Sequence, residues 1–265
     1  MNSRRTFFQT LGGAAYAATA AALTRALAPL LATAGSGESY WRLVKEQFAL
    51  RPGAAPMNAA NLCPSPRVVA EKVTELTRDL DGDVSFQNRE KFARTLEESR
   101  VKVAEQLGVT AEEIALVRNT SEGNNVINSG LALKAGDEVV LFDQNHPTNN
   151  VAWEVRGARY GFTVKRVAVP PAPRDEAEII KVFLEALTPR TRVLAITHAS
   201  NTTGVRLPAR QLCEMARLAG IYSHVDGAQT WGALRVNLRE MGCDSYAASA
   251  HKRSEERRVG KECRL

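Results

Sequence analysis

The sequence predicts an α/β fold, a three-layer α/β/α domain around a mostly parallel sheet. Three observations predict it. Short β-rich runs alternate with helical stretches over residues 114–249, and polar residues able to carry chemistry follow the ends of those runs. The chain of 265 residues, 44% hydrophobic and 24% charged, is long enough to bury a sizeable core. Strands that alternate with helices imply parallel crossovers and a sheet covered on both faces. Ligands in such sheets bind beyond the carboxyl ends of the strands.

Ser3-Arg4-Arg5-Thr6-Phe7-Phe8 precedes an apolar, alanine-rich run from Leu11 to Thr24 and then Ala32-Thr33-Ala34, a small-x-small pattern. That order predicts a twin-arginine export signal over residues 1–34, cleaved after about Ala34, and a periplasmic protein. A membrane anchor is the competing reading, and Arg25 with the many Ala and Gly residues argues against a stable span.

Residues 35–66, rich in Pro, Ala and Asn between Arg51 and Pro66, read as an extended arm. From Arg67 the pattern is helical, with Val69, Val73, Leu76 and Leu80 recurring at helical spacing, and a second helix runs from about Arg89 to Leu107. Gly108 stops it, and Thr110 with Glu113 forms a capping-box pattern. Strands are expected at 114–118, 138–142, 163–169, 192–197, 222–225 and 246–249. Helices are expected in the gaps, notably 176–187 and 208–219, where Leu212, Met215, Ala216 and Ala219 share a face.

Charge and cysteine usage exclude some partners. Of the net charge of +6, residues 1–39 supply two (Arg4, Arg5 and Arg25 against Glu38), residues 253–265 supply two, and the body keeps two. That is too little for a nucleic-acid footprint. Cys63, Cys213, Cys243 and Cys263 form no CxxC pair and do not cluster with the histidines, so no metal site is expected and no disulfide is assigned.

Five polar runs carry the candidate chemistry. Arg118-Asn119-Thr120-Ser121-Glu122 opens a helix, where hydroxyls and free N–H groups favour an anion, although Thr and Ser there are also ordinary N-caps. Asp143-Gln144-Asn145-His146-Pro147 offers an imidazole before another helix, and Thr197-His198-Ala199-Ser200-Asn201-Thr202-Thr203-Gly204 is either turn chemistry or the lining of a polar ligand. His224-Val225-Asp226-Gly227-Ala228-Gln229 puts a carboxylate at the end of a buried strand, where it needs a cation or several donors. Ala248-Ser249-Ala250-His251-Lys252 ends with an amine whose burial is costly unless it is neutralised, as Schiff-base formation does.

In order and spacing these five runs resemble the aminotransferase class V family of fold-type I pyridoxal-phosphate enzymes, which includes isopenicillin N epimerase-like enzymes and cysteine desulfurases. The resemblance covers roughly residues 55–252 and implies pyridoxal 5'-phosphate as cofactor, bound by a large domain over 67–252. By that resemblance Thr120, Ser121, Ser249 and His251 hold the cofactor phosphate, and His146 stacks on the pyridine ring. Asn201 lies beside the ring, Asp226 pairs with its nitrogen, Gln229 approaches its phenolic oxygen, and Lys252 forms the internal aldimine. Lys252, Asp226 and His146 are thus the expected catalytic residues.

The same resemblance implies an amino-acid substrate, an aminotransferase-like or epimerase-like reaction and a homodimer in the full-length parent. No nucleic acid and no membrane contact beyond the export signal are expected. Residues 253–265 are highly charged and unlike the family's glycine-rich continuation, so the chain is expected to lack the C-terminal small domain and to have little turnover by itself. A fragment that only binds cofactor, and desulfurase or lyase activity in the parent, are the alternatives. None of Cys63, Cys213 and Cys243 matches the desulfurase cysteine. A nicotinamide-binding domain would need a GxGxxG turn, which is absent.

Overall fold

The computed structural model describes residues 37–58 and 60–252. The expected export signal, the tail 253–265 and Cys263 lie outside the described residues.

The described chain forms two compact units, residues 37–57 with 63–99, and residues 58–62 with 100–252. In the first, α1 (Glu38–Glu46) occupies part of the stretch expected to be an extended arm. An antiparallel bridge joins Phe48 to Pro66, and the Arg67 N–H donates to the Gln47 carbonyl at 2.7 Å. Helix α2 (Arg67–Gly82) follows Pro66, and α3 (Phe86–Leu107) begins in this unit and ends in the other. The Lys91 ammonium contacts both Asp79 oxygens at 2.5 and 2.7 Å, tying α2 to α3. The face of α2 carrying Val69 and Val73 is exposed, so its helical periodicity is real but serves no buried core among the described residues.

The second unit is the parallel α/β domain the sequence predicts. Gly108, at φ +71°, ends α3, and the Thr110–Glu113 capping box forms around a single 3-10 turn, Ala111–Glu113. Residues 114–118 are not a strand. Leu116 and Val117 are 42% and 44% exposed, and no ladder forms beside them. An apolar run supplies strand propensity, but without a neighbouring edge its end residues bond locally instead, the Ile114 N–H to the Ala111 carbonyl and the Arg118 N–H to the Glu122 carboxylate.

Beyond it come α4 (Thr120–Gly130), β1 (Glu138–Phe142), α5 (Pro147–Tyr160), β2 (Thr163–Val167), α6 (Glu176–Ala186) and β3 (Thr191–Thr197). The domain continues with α7 (Ala209–Leu218), β4 (Tyr222–Asp226), α8 (Leu238–Met241), β5 (Ser245–Ala247) and a 3-10 turn at Ala250–Lys252. The sheet order is β2-β1-β3-β4-β5, with every pairing parallel.

Alternate residues of the central strands feed two cores. Val140, Phe142, Leu194 and Ile196 pack with Phe183 of α6 and with Leu212 and Ala216 of α7, while Val139, Leu141, Val193 and Ala195 pack on Trp153 of α5 and Phe162. Ala219, expected on the same face of α7, is exposed at its C-cap. After β4 the chain passes so close to Tyr246 that a Cβ on Gly227 would lie 1.8 Å from the tyrosine Oη, so no other residue fits without moving the ring. Among the described residues no helix is long and apolar enough to cross a membrane.

At the amino edge of the sheet Glu138, 1% exposed, accepts from Lys165 at 2.6 Å, Thr188 at 2.6 Å and Arg190 at 2.5 Å. These contacts, led by Lys165, hold its carboxyl at about 2, against an ordinary 4.5. A depressed folded value means the stabilisation is complete above about pH 4.5 and disappears as pH falls toward 2. Glu138→Gln is expected to lower unfolding free energy by about 2 kcal/mol at pH 7. Urea denaturation across pH 2–7 checks this: the gap should close in acid, and a gap independent of pH would contradict the assignment.

Candidate active site

The carboxyl ends of β1, β3, β4 and β5 and the amino end of α4 bring the polar runs together. Asn119 caps α4, its side-chain oxygen accepting from the Glu122 N–H at 3.0 Å. Thr120 and Ser121 therefore sit in the first turn rather than at the cap, where N–H groups and the helix dipole favour an anion. Thr120 is buried and reaches across the domain: its N–H donates to Ser249 Oγ at 2.9 Å, and the two hydroxyls lie 2.5 Å apart. Ser249 stands two residues past β5, so that strand is shorter than the sequence suggests and its polar end is a turn.

His146 caps α5. Its Nδ1 accepts from the Thr148 N–H at 3.3 Å and lies 2.8 Å from the Thr148 hydroxyl, which in turn is 3.4 Å from Ser121 Oγ. The imidazole is thus linked to the first turn of α4 through one threonine. Asn145 is buried behind it, accepting from the Thr197 hydroxyl at 2.7 Å and donating to the Ala195 carbonyl at 3.1 Å, which fixes the ends of β1 and β3 relative to each other.

Asp226 ends β4 with 2% of its surface exposed. Its Oδ1 accepts from the Ala228 N–H at 3.0 Å and its Oδ2 from the Asn124 amide at 2.8 Å. Burial raises its pKa above the usual carboxylate range, opposed by those two hydrogen bonds and by the positive potential of Lys252 and His146. Lys252, half-buried in the Ala250–Lys252 turn, is close enough to act on Asp226 electrostatically. Gln229 donates to the Ala60 carbonyl at 2.9 Å, bringing residues 58–62 to the loop after β4.

Two expected residues are exposed. Asn201 is exposed in the turn after β3, whose geometry is set by Ser200 Oγ accepting from the N–H groups of Thr202 and Thr203 at 3.1 and 3.2 Å. His251 is exposed beside Lys252.

Residue-by-residue reading missed three members of this neighbourhood. Asn124 and His224 form a buried chain to Asp226, and His198 donates its N–H to the Asp226 carbonyl at 2.8 Å. Burial, reinforced by Arg206, pushes the His198 imidazole down to about 4. A polar residue on the buried face of a helix was the available signal for Asn124, and none distinguished His224 from an ordinary strand residue.

The donor set fits a flat, phosphorylated, cationic heterocycle. Hydroxyls and a helix N-terminus gather at one end, a buried carboxylate suited to a ring N–H stands at the other, and an amine and an imidazole are electrostatically coupled to that carboxylate.

A family model described as aminotransferase class-V matches residues 58–254. The isopenicillin N epimerase of Amycolatopsis lactamdurans is 34% identical over 215 residues, covering 80% of this chain and 54% of that protein. Among solved structures, the cysteine desulfurase CsdA of Escherichia coli aligns with a TM-score of 0.70 at 26% identity, over 80% of this chain and 54% of that one. A C-DES variant carrying glycine covalently linked to its PLP cofactor shares the fold, with a TM-score of 0.74 at 23% identity over 82% of this chain and 60% of that one. The chain therefore spans little more than half the length of these relatives. With the family match extending over most of the domain that carries the site, the chain belongs to the aminotransferase class-V family.

Proposed function

We propose that this chain binds pyridoxal phosphate, the cofactor of its family, at the carboxyl ends of β4 and β5 and serves an enzyme acting on the amino group or α-carbon of an amino acid. The observation that carries the reading is the buried Asp226 carboxylate under the influence of Lys252 and His146, with the Thr120–Ser249 hydroxyl pair at the start of α4. Bound there, the cofactor supplies a ring that takes up electrons when a bond at the amino acid's α-carbon breaks.

The protein's groups divide the remaining work. Thr120, Ser121, Ser249 and the first turn of α4 hold the phosphate, with His251 positioned beside them in sequence. Asp226 would accept a hydrogen bond from the ring nitrogen and keep it protonated, and the His146 imidazole would shield the ring from water. Gln229 and Asn201, in the loops after β4 and β3, would line the same site. Lys252 would be the residue that holds the cofactor through its amine, and the same amine would serve as the base that carries the proton at the substrate α-carbon.

The epimerase relative, at 34% identity, favours an epimerase-like or aminotransferase-like reaction. The desulfurase likeness, at 26%, favours carbon–sulfur cleavage as the second reading.

Borohydride reduction of the chain with pyridoxal phosphate, followed by peptide mapping, is expected to place the pyridoxyl group on Lys252, and Lys252→Ala should lose the label. A label on another lysine of the folded protein would remove Lys252 from this role.

Helices α4 and α5 expose Val126, Val151 and Val155, at 59%, 50% and 54%, next to the site. A homodimer that covers them is the proposed assembly, and light scattering showing a monomer at micromolar concentration would count against it.

Export through Arg4-Arg5 is proposed as well, since the twin-arginine route carries folded protein and allows the cofactor to be loaded first. A reporter fused after Ala34 should reach the periplasm. Unchanged export after replacing both arginines with lysine would eliminate that route.

A further inference from the structure

Within the reading of Asp226 as the carboxylate that faces the cofactor, we infer that Asn124 and His224 are positioning residues. Together with Ser245 they form a hydrogen-bond chain of fixed direction that keeps Asp226 ionised and aimed.

The chain is short and buried. Asn124 Nδ2 is 2.8 Å from Asp226 Oδ2, Asn124 Oδ1 is 2.9 Å from His224 Nε2, and His224 Nδ1 is 2.8 Å from Ser245 Oγ. Asn124, His224 and Asp226 are 3%, 0% and 2% exposed. The Asn124 amide and the His224 ring are cut off from solvent, so each of their donors must find its acceptor inside the chain.

That requirement fixes every proton. A carboxylate only accepts, so the Asn124 amide must present its NH₂ to Asp226 and its oxygen to His224. The amide oxygen also only accepts, so His224 must carry its proton on Nε2. Nδ1 is then an acceptor, and the Ser245 hydroxyl must donate to it. Donation runs from Ser245 through His224 and Asn124 to Asp226.

Donation from the Asn124 amide to Oδ2 favours the charged form of the carboxylate. The chain therefore resists the protonation that burial otherwise promotes, and burial keeps the His224 ring neutral, as the chain requires. It also occupies one lone pair of Oδ2 and fixes the carboxylate plane, leaving the remaining lone pairs for the ring N–H. Sequence separation hides the arrangement, since Asn124 lies 102 residues from Asp226 and 100 from His224.

The test has two independent arms on the full chain. In the first, nitrogen-15 NMR of histidine-labelled protein without cofactor reads the His224 tautomer at pH 7, with His224→Gln identifying the signal. The Nε2–H form is expected, and the Nδ1–H form would overturn the inference by showing that the amide faces Asp226 with its oxygen.

In the second arm, pyridoxal phosphate affinity and the pH dependence of the bound cofactor's absorbance are compared among variants. Asn124→Leu and His224→Leu should weaken binding about tenfold or more, as loss of a charge-assisted hydrogen bond implies, and move the absorbance midpoint. His224→Gln, whose amide can donate from the place of Nε2, should restore both toward wild type. Wild-type affinity and midpoint in both leucine variants, or His224→Gln behaving as His224→Leu, would overturn it. Should the leucine variants fail to fold, the tautomer of the wild-type chain still decides. Wild-type protein that binds no pyridoxal phosphate refutes the cofactor reading, while the tautomer reports on the chain regardless.

Discussion

A carboxylate taken out of water at the end of a central strand is the demand around which this domain is arranged. Asp226 lies between β3 and β5, where the parallel ladder leaves no route for solvent. An isolated ion in that position would neutralise itself rather than bear the desolvation cost. The fold opposes this with the Ala228 N–H, the Asn124 amide and the positive potential of His146 and Lys252. Those groups come from four separate places in the sequence, and only a sheet whose strands all point one way delivers them to the same edge.

The opposite edge shows the same chemistry serving stability. Glu138 is as deeply buried as Asp226, yet Lys165 and Arg190 contact it directly and its carboxyl is held low, at about 2. Glu138 is a saturated anion with no capacity left for a ligand. Asp226 is held by neutral donors, with positive groups acting on it through space, and so keeps acceptor capacity for a cationic partner. The difference between a structural and a functional carboxylate here lies in whether cations or neutral donors occupy its lone pairs.

What was legible in the sequence follows from how local each signal is. Strands β1 and β3 are largely apolar runs and β4 is a short β-rich one, and the polar residues at their ends, Asp143 to His146, Thr197 to Gly204 and Asp226 to Gln229, fall at the carboxyl edge as the alternation of elements requires. The run at 114–118 has the same composition but gains no partner strand, because pairing is a tertiary fact that propensity does not contain. Asn201 was placed by resemblance, and its exposed turn owes its shape to Ser200. The link between Thr120 and Ser249 spans 129 residues, so neither residue alone points to the other.

Helix α4 shows why the positioning chain escaped a reading based on apolar periodicity. Its buried residues are Thr120, Asn124 and Asn128, one per turn and all polar, so the helix offers no apolar stripe to the sheet. Gly123 on the same side lets the helix approach β5, with its Cβ position only 3.0 Å from that of Ala247. A helix held this way gains little from hydrophobic burial, and each unsatisfied amide in its face would cost about 1–3 kcal/mol. For Thr120 and Asn124 matching groups are supplied, by His224 and Asp226 of β4 and by Ser249 after β5, while the Asn128 amide nitrogen has no partner among the described residues. The polar interior between α4 and the sheet therefore holds the helix in place through the same contacts that orient the candidate cofactor groups, so the packing of α4 and the geometry of the site cannot be altered separately.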